Sequence, residues 1–220
     1  MRHFIKKIVS PFLQKASALY LSKPRKYSYK HISVWVEPTV FPPFITISTK
    51  LLLEFTDTLS LKNKSFLELG CGCGIISILA AQKEAKVTAS DINQIALNAL
   101  TKNATLNKVT IEILYSDLFE NLENKQFDVI VINPPYYPKN PISIAENAWF
   151  CGENFEYFEK LFFQIAKHIT IKNETYMILS EDCDLKNIKL IASKTQIRLE
   201  LVVEKKVVSE KNYIFKLNKI

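Results

Sequence analysis

Glycine is scarce in this 220-residue sequence: there are four, at positions 70, 72, 74 and 152, so each is expected where the backbone needs one. Histidine is scarcer, with His3, His31 and His168 scattered along the chain. The four cysteines, Cys71, Cys73, Cys151 and Cys183, do not make a disulfide framework in a chain of this length. Cys71 and Cys73 form a C-x-C with no two further ligands nearby, so no metal site is expected. No apolar run approaches the ~20 residues that a bilayer crossing needs, and no apolar signal segment precedes a small-residue cleavage site. Internal repeats and Gly/Ser linkers are absent too. What remains is one soluble, cytoplasmic globular domain with no membrane partner, 48% hydrophobic and long enough to bury a substantial core.

Acid is missing from residues 1–36, which hold eight Lys/Arg: Arg2, Lys6, Lys7, Lys15, Lys23, Arg25, Lys26 and Lys30. The net charge of +7 therefore belongs to the N-terminal end, and the body is near neutral. We read residues 1–34 as a basic helical arm and 35–220 as the catalytic-sized domain. Clustered Lys/Arg exchange counterions with phosphates, so the arm suits nucleic acid or a ribosomal surface; a solvated helix face explains it equally well. Pro11 and the shortage of Arg and Ser oppose an organellar presequence.

Residues 3–21 suit a helix interrupted near Pro11, followed by a basic link, LSKPRKYSYK, and an alternating strand, HISVWVEP. Pro42 and Pro43 force an extended loop before a helix that Ser48 or Thr49 would cap. From Ser65 short β-rich runs alternate with helical ones, which predicts βαβ units. The fold class is thus α/β: a doubly wound, mostly parallel seven-stranded sheet. Only SEKN separates the last two strands, too little for a parallel crossover, so the sheet should end in an antiparallel hairpin.

FLELGCGCG places Gly70, Gly72 and Gly74 between the first sheet strand and a helix, where a backbone free of Cβ atoms lets a ligand approach. Asp91 ends the next strand, where an acid can accept from both hydroxyls of a ribose; Asp117 ends the third, on the same carboxyl edge. Either acid alone also suits a helix N-cap. With the glycines they point to a nucleoside site.

Glu68 followed by Gly70-Cys71-Gly72-Cys73-Gly74 resembles the first motif of the class I S-adenosylmethionine-dependent methyltransferases, an acid before G-x-G-x-G. A dinucleotide fingerprint would need its third glycine at position 75, which is Ile75. The resemblance covers roughly residues 35–220 and implies a Rossmann-like methyltransferase fold with S-adenosyl-L-methionine as cofactor. By it Glu68 and the glycine loop hold the methionine end, Asp91 the ribose and Asp117 the adenine amino group, with Ile92 and Leu118 also among the cofactor-binding residues. TISTKLLLEF resembles a segment of the same group in which a threonine approaches the cofactor's carboxylate, here Thr49; a plain helix cap remains open for that residue.

NPPY, Asn133 to Tyr136, ends the fourth sheet strand and looks like the [N/D]-P-P-[Y/F/W] motif of methyltransferases acting on planar nitrogens. The lone pair of such a nitrogen is delocalised, so the site needs acceptors for its N–H groups and a flat surface. Asn133 Oδ1 and the Pro134 carbonyl suit the first task and Tyr136 the second, with Asn133 also beside the cofactor. NAWFCGENFEYFEKLF resembles a block of the release-factor glutamine methyltransferases, with Gly152 and Glu153 matching a G-x-D-G-L-like turn and Asn154 and Phe155 departing from it.

The expected reaction is methyl transfer to a glutamine amide of a translation-related protein, or else to an exocyclic amine of ribosomal or transfer RNA. About 30 residues precede the first strand, fewer than the relatives' substrate-recognition domain needs, which leaves both acceptors open. Trp35, Phe41, Phe44, Tyr137, Trp149 and Phe150 could line a pocket for a flipped base, or simply pack the core. A nicotinamide-dependent oxidoreductase and a non-catalytic scaffold are the readings from other classes. The sequence carries no sign of oligomeric state.

Overall fold

The computed structural model describes residues 22–207 and 210–220. The expected helix over 3–21 lies outside them. Seven strands build the main sheet in the order β5-β4-β3-β6-β7-β9-β8: β3 (Ser65–Leu69), β4 (Lys86–Asp91), β5 (Glu112–Tyr115), β6 (Val129–Ile132), β7 (Glu174–Ser180), β8 (Ile197–Val207) and β9 (Glu210–Lys219). Strands β3 to β7 pair in parallel, and β9 runs antiparallel to both β7 and β8. The expected fold class and terminal hairpin are both present.

Strand β6 shows why the sheet is buried on both faces. Its four residues, VIVI, have no exposed surface, with Val129 and Val131 in one apolar cluster and Ile130 and Ile132 in the other. An all-apolar strand of this kind requires helices on both sides. Helices α1 (Ile47–Thr58), α2 (Ile75–Gln82) and α3 (Gln94–Leu106) cover one face; α4 (Glu156–Ile165) and α5 (Leu185–Lys194) cover the other. Phe158 and Phe162 of α4 are fully buried, and truncating either to alanine would cost about 3–5 kcal/mol.

The basic link of the sequence reading is a strand. β1 (Arg25–Tyr29) pairs antiparallel with β2 (Ile32–Val36), a two-stranded hairpin separate from the main sheet. Ile32, Val34 and Val36 are buried under it, which ties residues 25–36 to the domain. The free edge of β2 is closed by Asn103 of α3 and by Asn107, the cap at its C-terminus. Asn103 accepts from Trp35 N (2.8 Å) and donates to Trp35 O (2.9 Å); Asn107 accepts from Ser33 N (3.2 Å) and donates to Ser33 O (2.7 Å). Four residues of helix rise about 6 Å, close to the ~6.6 Å repeat of alternate strand residues, so the two amides stand in for a missing strand.

Helix α1 departs from the expected capping. It begins at Ile47 with Thr46 at the N-cap and no side-chain cap bond, and Ser48 and Thr49 lie inside its first turn. Asn93 caps α3 by accepting from Ile95 N (2.9 Å), which leaves Asp91 free of that task.

Candidate active site

Strand order reverses between β3 and β6, and open parallel sheets bind ligands at that switch point, outside the carboxyl ends of the strands. A cavity of about 500 Å³ lies there. Thr49, Glu68, Gly70, Gly72, Asp91, Ile92, Asp117, Leu118 and Asn133 all line it, brought together from α1 and the ends of β3, β4, β5 and β6.

Gly70 and Gly72 have φ of +74° and +51°, backbone that disfavours a side chain, and nothing stands within 4 Å of where a Cβ on Gly70 would point. Asp91 receives the N–H of Gly72 (2.8 Å) on Oδ2 and that of Asn93 (2.8 Å) on Oδ1, so it shapes the glycine loop as well as facing the cavity. Burial raises its pKa against these N–H groups. Glu68 is buried; Oε2 accepts from Ser77 N (2.8 Å) and from the Ser77 hydroxyl. Burial dominates and pushes its carboxyl up to about 8, with the Ser77 bonds opposing and Asp91 adding to the rise.

Asn133 donates from Nδ2 to Thr49 Oγ1 (3.3 Å), which turns its Oδ1 away from the threonine as a free acceptor. Thr49 thus stands beside the residue expected to hold the acceptor nitrogen. Asp117 is bound by Lys160 Nζ (2.6 Å), which also reaches Glu120 Oε1 (2.6 Å). Sequence spacing gave no sign of Lys160, because its partner lies 43 residues away across the fold.

Three expected residues do not line the cavity. Gly74 is the N-cap of α2 at φ +75°, where a Cβ would meet Leu100 at 2.1 Å, so it serves helix packing. Pro134 is buried behind Asn133 and Pro135, and of the two prolines Pro135 faces the cavity. Tyr136 is turned toward the α4–α5 side, its ring 4.8 Å from Tyr137 and its hydroxyl bonded to Ser180, with burial raising its pKa. The flat walls of the cavity come instead from Phe41 and Phe150. Phe41 packs against Trp149 (4.8 Å between ring centroids), which joins the 39–43 segment to the 140–152 loop over the cavity. Trp35 stands exposed on β2, Phe44 packs near Tyr27, and Tyr137 pairs with Phe150 as an isolated bridge.

The turn before α4 explains the partial match of its sequence. Gly152 has φ +87°, and a Cβ there would strike the Glu156 carboxylate, which accepts from Asn154 N (3.0 Å). Phe155 stands where the resembled pattern has glycine, and it takes φ +64°. Its buried ring offsets that backbone strain. Among the described residues no group of His, Cys, Asp and Glu could hold a metal, and the four cysteines are free and buried.

The model of the methyltransferase small domain family matches residues 31–148. The chain belongs to this family. Its members are class I, S-adenosylmethionine-dependent methyltransferases. A Methanocaldococcus jannaschii protein named "Putative protein N5-glutamine methyltransferase" is 43% identical over 108 residues, 49% of this chain and 52% of its own. The Buchnera aphidicola ribosomal RNA small subunit methyltransferase C is 31% identical over 132 residues, 59% of this chain and 37% of its own. The chain therefore spans about half or less of these relatives. Among solved structures, the E. cuniculi Mtq2–Trm112 complex, described as methylating the termination factor eRF1, superposes with TM-score 0.62 at 21% identity, over 83% of this chain and 99% of that one. The T. thermophilus 16S rRNA N2 G1207 methyltransferase, solved with AdoMet and guanosine, gives 0.61 at 19%, over 89% and 51%. Both likenesses concern the fold.

The cavity fits the family's cofactor. Glu68 and Asp91 put carboxyl groups into it, and among the described residues no cationic side chain is bonded to either, an acceptor set suited to a ligand carrying positive charge and hydroxyls. The two open glycines leave room for it along the backbone.

Proposed function

We propose that the chain transfers a methyl group from S-adenosylmethionine to a planar nitrogen, with a glutamine side-chain amide of a translation-related protein as acceptor. The observation that carries this reading is the Asn133 amide, oriented by Thr49 at the end of β6 in the same cavity as Glu68 and Asp91. The 43% identical relative named for glutamine supports the acceptor.

The cofactor supplies an electrophilic methyl on a sulfonium. Glu68 would take its ammonium and Asp91 its ribose hydroxyls, with the open backbone of Gly70 and Gly72 leaving room for it; Asp117, Ile92 and Leu118, which line the same cavity, would serve the rest of the nucleoside. Asn133 Oδ1 would accept an N–H group of the acceptor amide and so orient its nitrogen within the cavity, while Pro134, outside the lining, would fix the backbone that carries Asn133. Phe150 and Phe41 flank the planar group, and Tyr136, through Ser180, holds the end of β6 rigid. Catalysis would then be alignment with fixed dipoles: the nitrogen would gain the methyl as S-adenosylhomocysteine departs and give up one proton to solvent, with no covalent intermediate on the protein.

The test is calorimetric binding of S-adenosylmethionine to the wild type, Asp91→Ala and Asn133→Ala. Asp91→Ala should weaken binding by about 2–4 kcal/mol, two hydrogen bonds to a charged acceptor, and Asn133→Ala should bind nearly normally. Labelled cofactor with cell fractions split into protein and RNA then reports the acceptor. Label in RNA would favour the second reading, an exocyclic amine of ribosomal RNA, for which the 31% identical relative speaks. No binding at millimolar cofactor would sink both.

A further inference from the structure

Residues 22–36 and 92–111, the β1–β2 hairpin with its approach and the α3 region, hold six Lys/Arg and no acid. The two segments form one surface, because Asn103 and Asn107 bolt β2 to α3. On its outer side Lys26 stands directly across from Trp35, whose side chain is 47% exposed. Lys102 is exposed on α3 and Lys108 in the turn that follows it, and Asn98, Thr101, Thr105, Ser28 and Ser33 supply neutral polar groups on the same two segments. Lys30 is held by Asp57 at the hairpin turn, but Lys26, Lys102 and Lys108 have no acidic partner among the described residues.

This surface leads to the cavity. Thr39, Val40 and Phe41 follow β2 and line the rim, and Asn93, the cap of α3, donates to Thr39 O (3.1 Å). From Asn93 to Asn103, beside Trp35, is ten residues of helix, about 15 Å.

We propose that this face docks unpaired RNA, with Lys26, Lys102 and Lys108 on phosphates and Trp35 as a stacking platform for a base. Cations without counter-charges meet phosphates by releasing condensed ions, and an exposed indole offers a face that every base can stack on. An acidic peptide would use the lysines and have no need of the indole. The proposal goes beyond the methyl-transfer reading and is independent of which nitrogen is methylated.

The experiment measures fluorescence anisotropy of a short mixed-sequence oligoribonucleotide against salt, without cofactor. Lys26→Ala/Lys102→Ala/Lys108→Ala should lower the log–log salt slope by about 2, at about 0.7 per contact for single strands. Trp35→Ala should weaken binding about tenfold or more with the slope unchanged. Lys172→Ala/Lys186→Ala/Lys194→Ala, an equal charge loss on exposed positions away from the hairpin, should change the slope far less. An equal effect of the two triple variants, or an indifferent Trp35→Ala, would overturn the proposal. So would polyglutamate competing as well as RNA with the same dependence on the three lysines, which would make this a protein-docking face. Near-ultraviolet circular dichroism checks that each variant is folded. Calorimetry of S-adenosylmethionine is run in parallel: RNA binding without cofactor binding would sink the methyl-transfer reading and leave this one standing.

Discussion

Lowering the pH from about 8 to about 6 should weaken cofactor binding roughly fiftyfold, because a carboxyl with its pKa at about 8 has to lose its proton before it can receive an ammonium. Burial keeps Glu68 mostly protonated at about pH 7, and each unit below its pKa costs about 1.4 kcal/mol of binding. At about pH 7 close to 0.9 proton should leave on binding. Titration calorimetry in two buffers of different ionisation heat reads both the affinity and the released proton. S-adenosylhomocysteine, which has the same ammonium and no sulfonium, should follow the same pH profile. Glu68→Gln should bind more weakly with a flat profile. Constant wild-type affinity over this range with no proton release would refute the reasoning. The empty protein should behave oppositely. A folded-state pKa raised from the ordinary 4.5 to about 8 contributes stability that is fully present below about 4.5 and lost as pH rises through about 8, so the unliganded protein should lose stability across that window.

Thr49→Val removes the hydroxyl that holds the Asn133 amide, so kcat should fall by about tenfold or more with cofactor Kd little changed, and Thr49→Ser should restore it; a loss in cofactor affinity alone would return Thr49 to a cofactor role. Asn103→Ala leaves Trp35 N, Trp35 O and the Cys73 carbonyl without their partner and should cost about 3 kcal/mol in urea denaturation, since Asn103 Nδ2 also donates to Cys73 O (3.0 Å) in the glycine loop. His168 is buried against Phe119, with Nδ1 bonded to Lys125 O (3.1 Å), and burial lowers its pKa. Its contribution to stability is therefore present above about pH 6.5 and lost as pH falls through its lowered folded-state value; His168→Gln should flatten that acid-side slope in denaturation curves taken at several pH values.

The sheet was legible because each strand carried its own signal. VIVI has to be covered on both faces, SEKN is too short for anything but a hairpin, and three glycines in five residues after a strand mark a turn to which a ligand can come close. Much of the cavity lining was legible for the same reason, since each of those residues sits at the end of a strand and all strand ends of a parallel sheet share one edge. The β1 strand was missed because its partner and its cover lie elsewhere: RKYSY alternates weakly, and it becomes a strand by pairing with β2 over α2 and α3. Phe155 was a departure from glycine in the motif, and only its burial shows why the chain accepts a left-handed backbone there.

By itself the sequence determined the parallel sheet, its terminal hairpin, the glycine loop and the acids at the strand ends that line the cavity, all of which follow from local periodicity and backbone chemistry. Tertiary structure alone decided that Thr49 reaches Asn133, that Lys160 reaches Asp117, that Tyr136 turns from the cavity, and that Lys26 stands across from Trp35. Those outcomes depend on how separate elements pack, and side chains 43 to 84 residues apart leave no pattern that local reading can find.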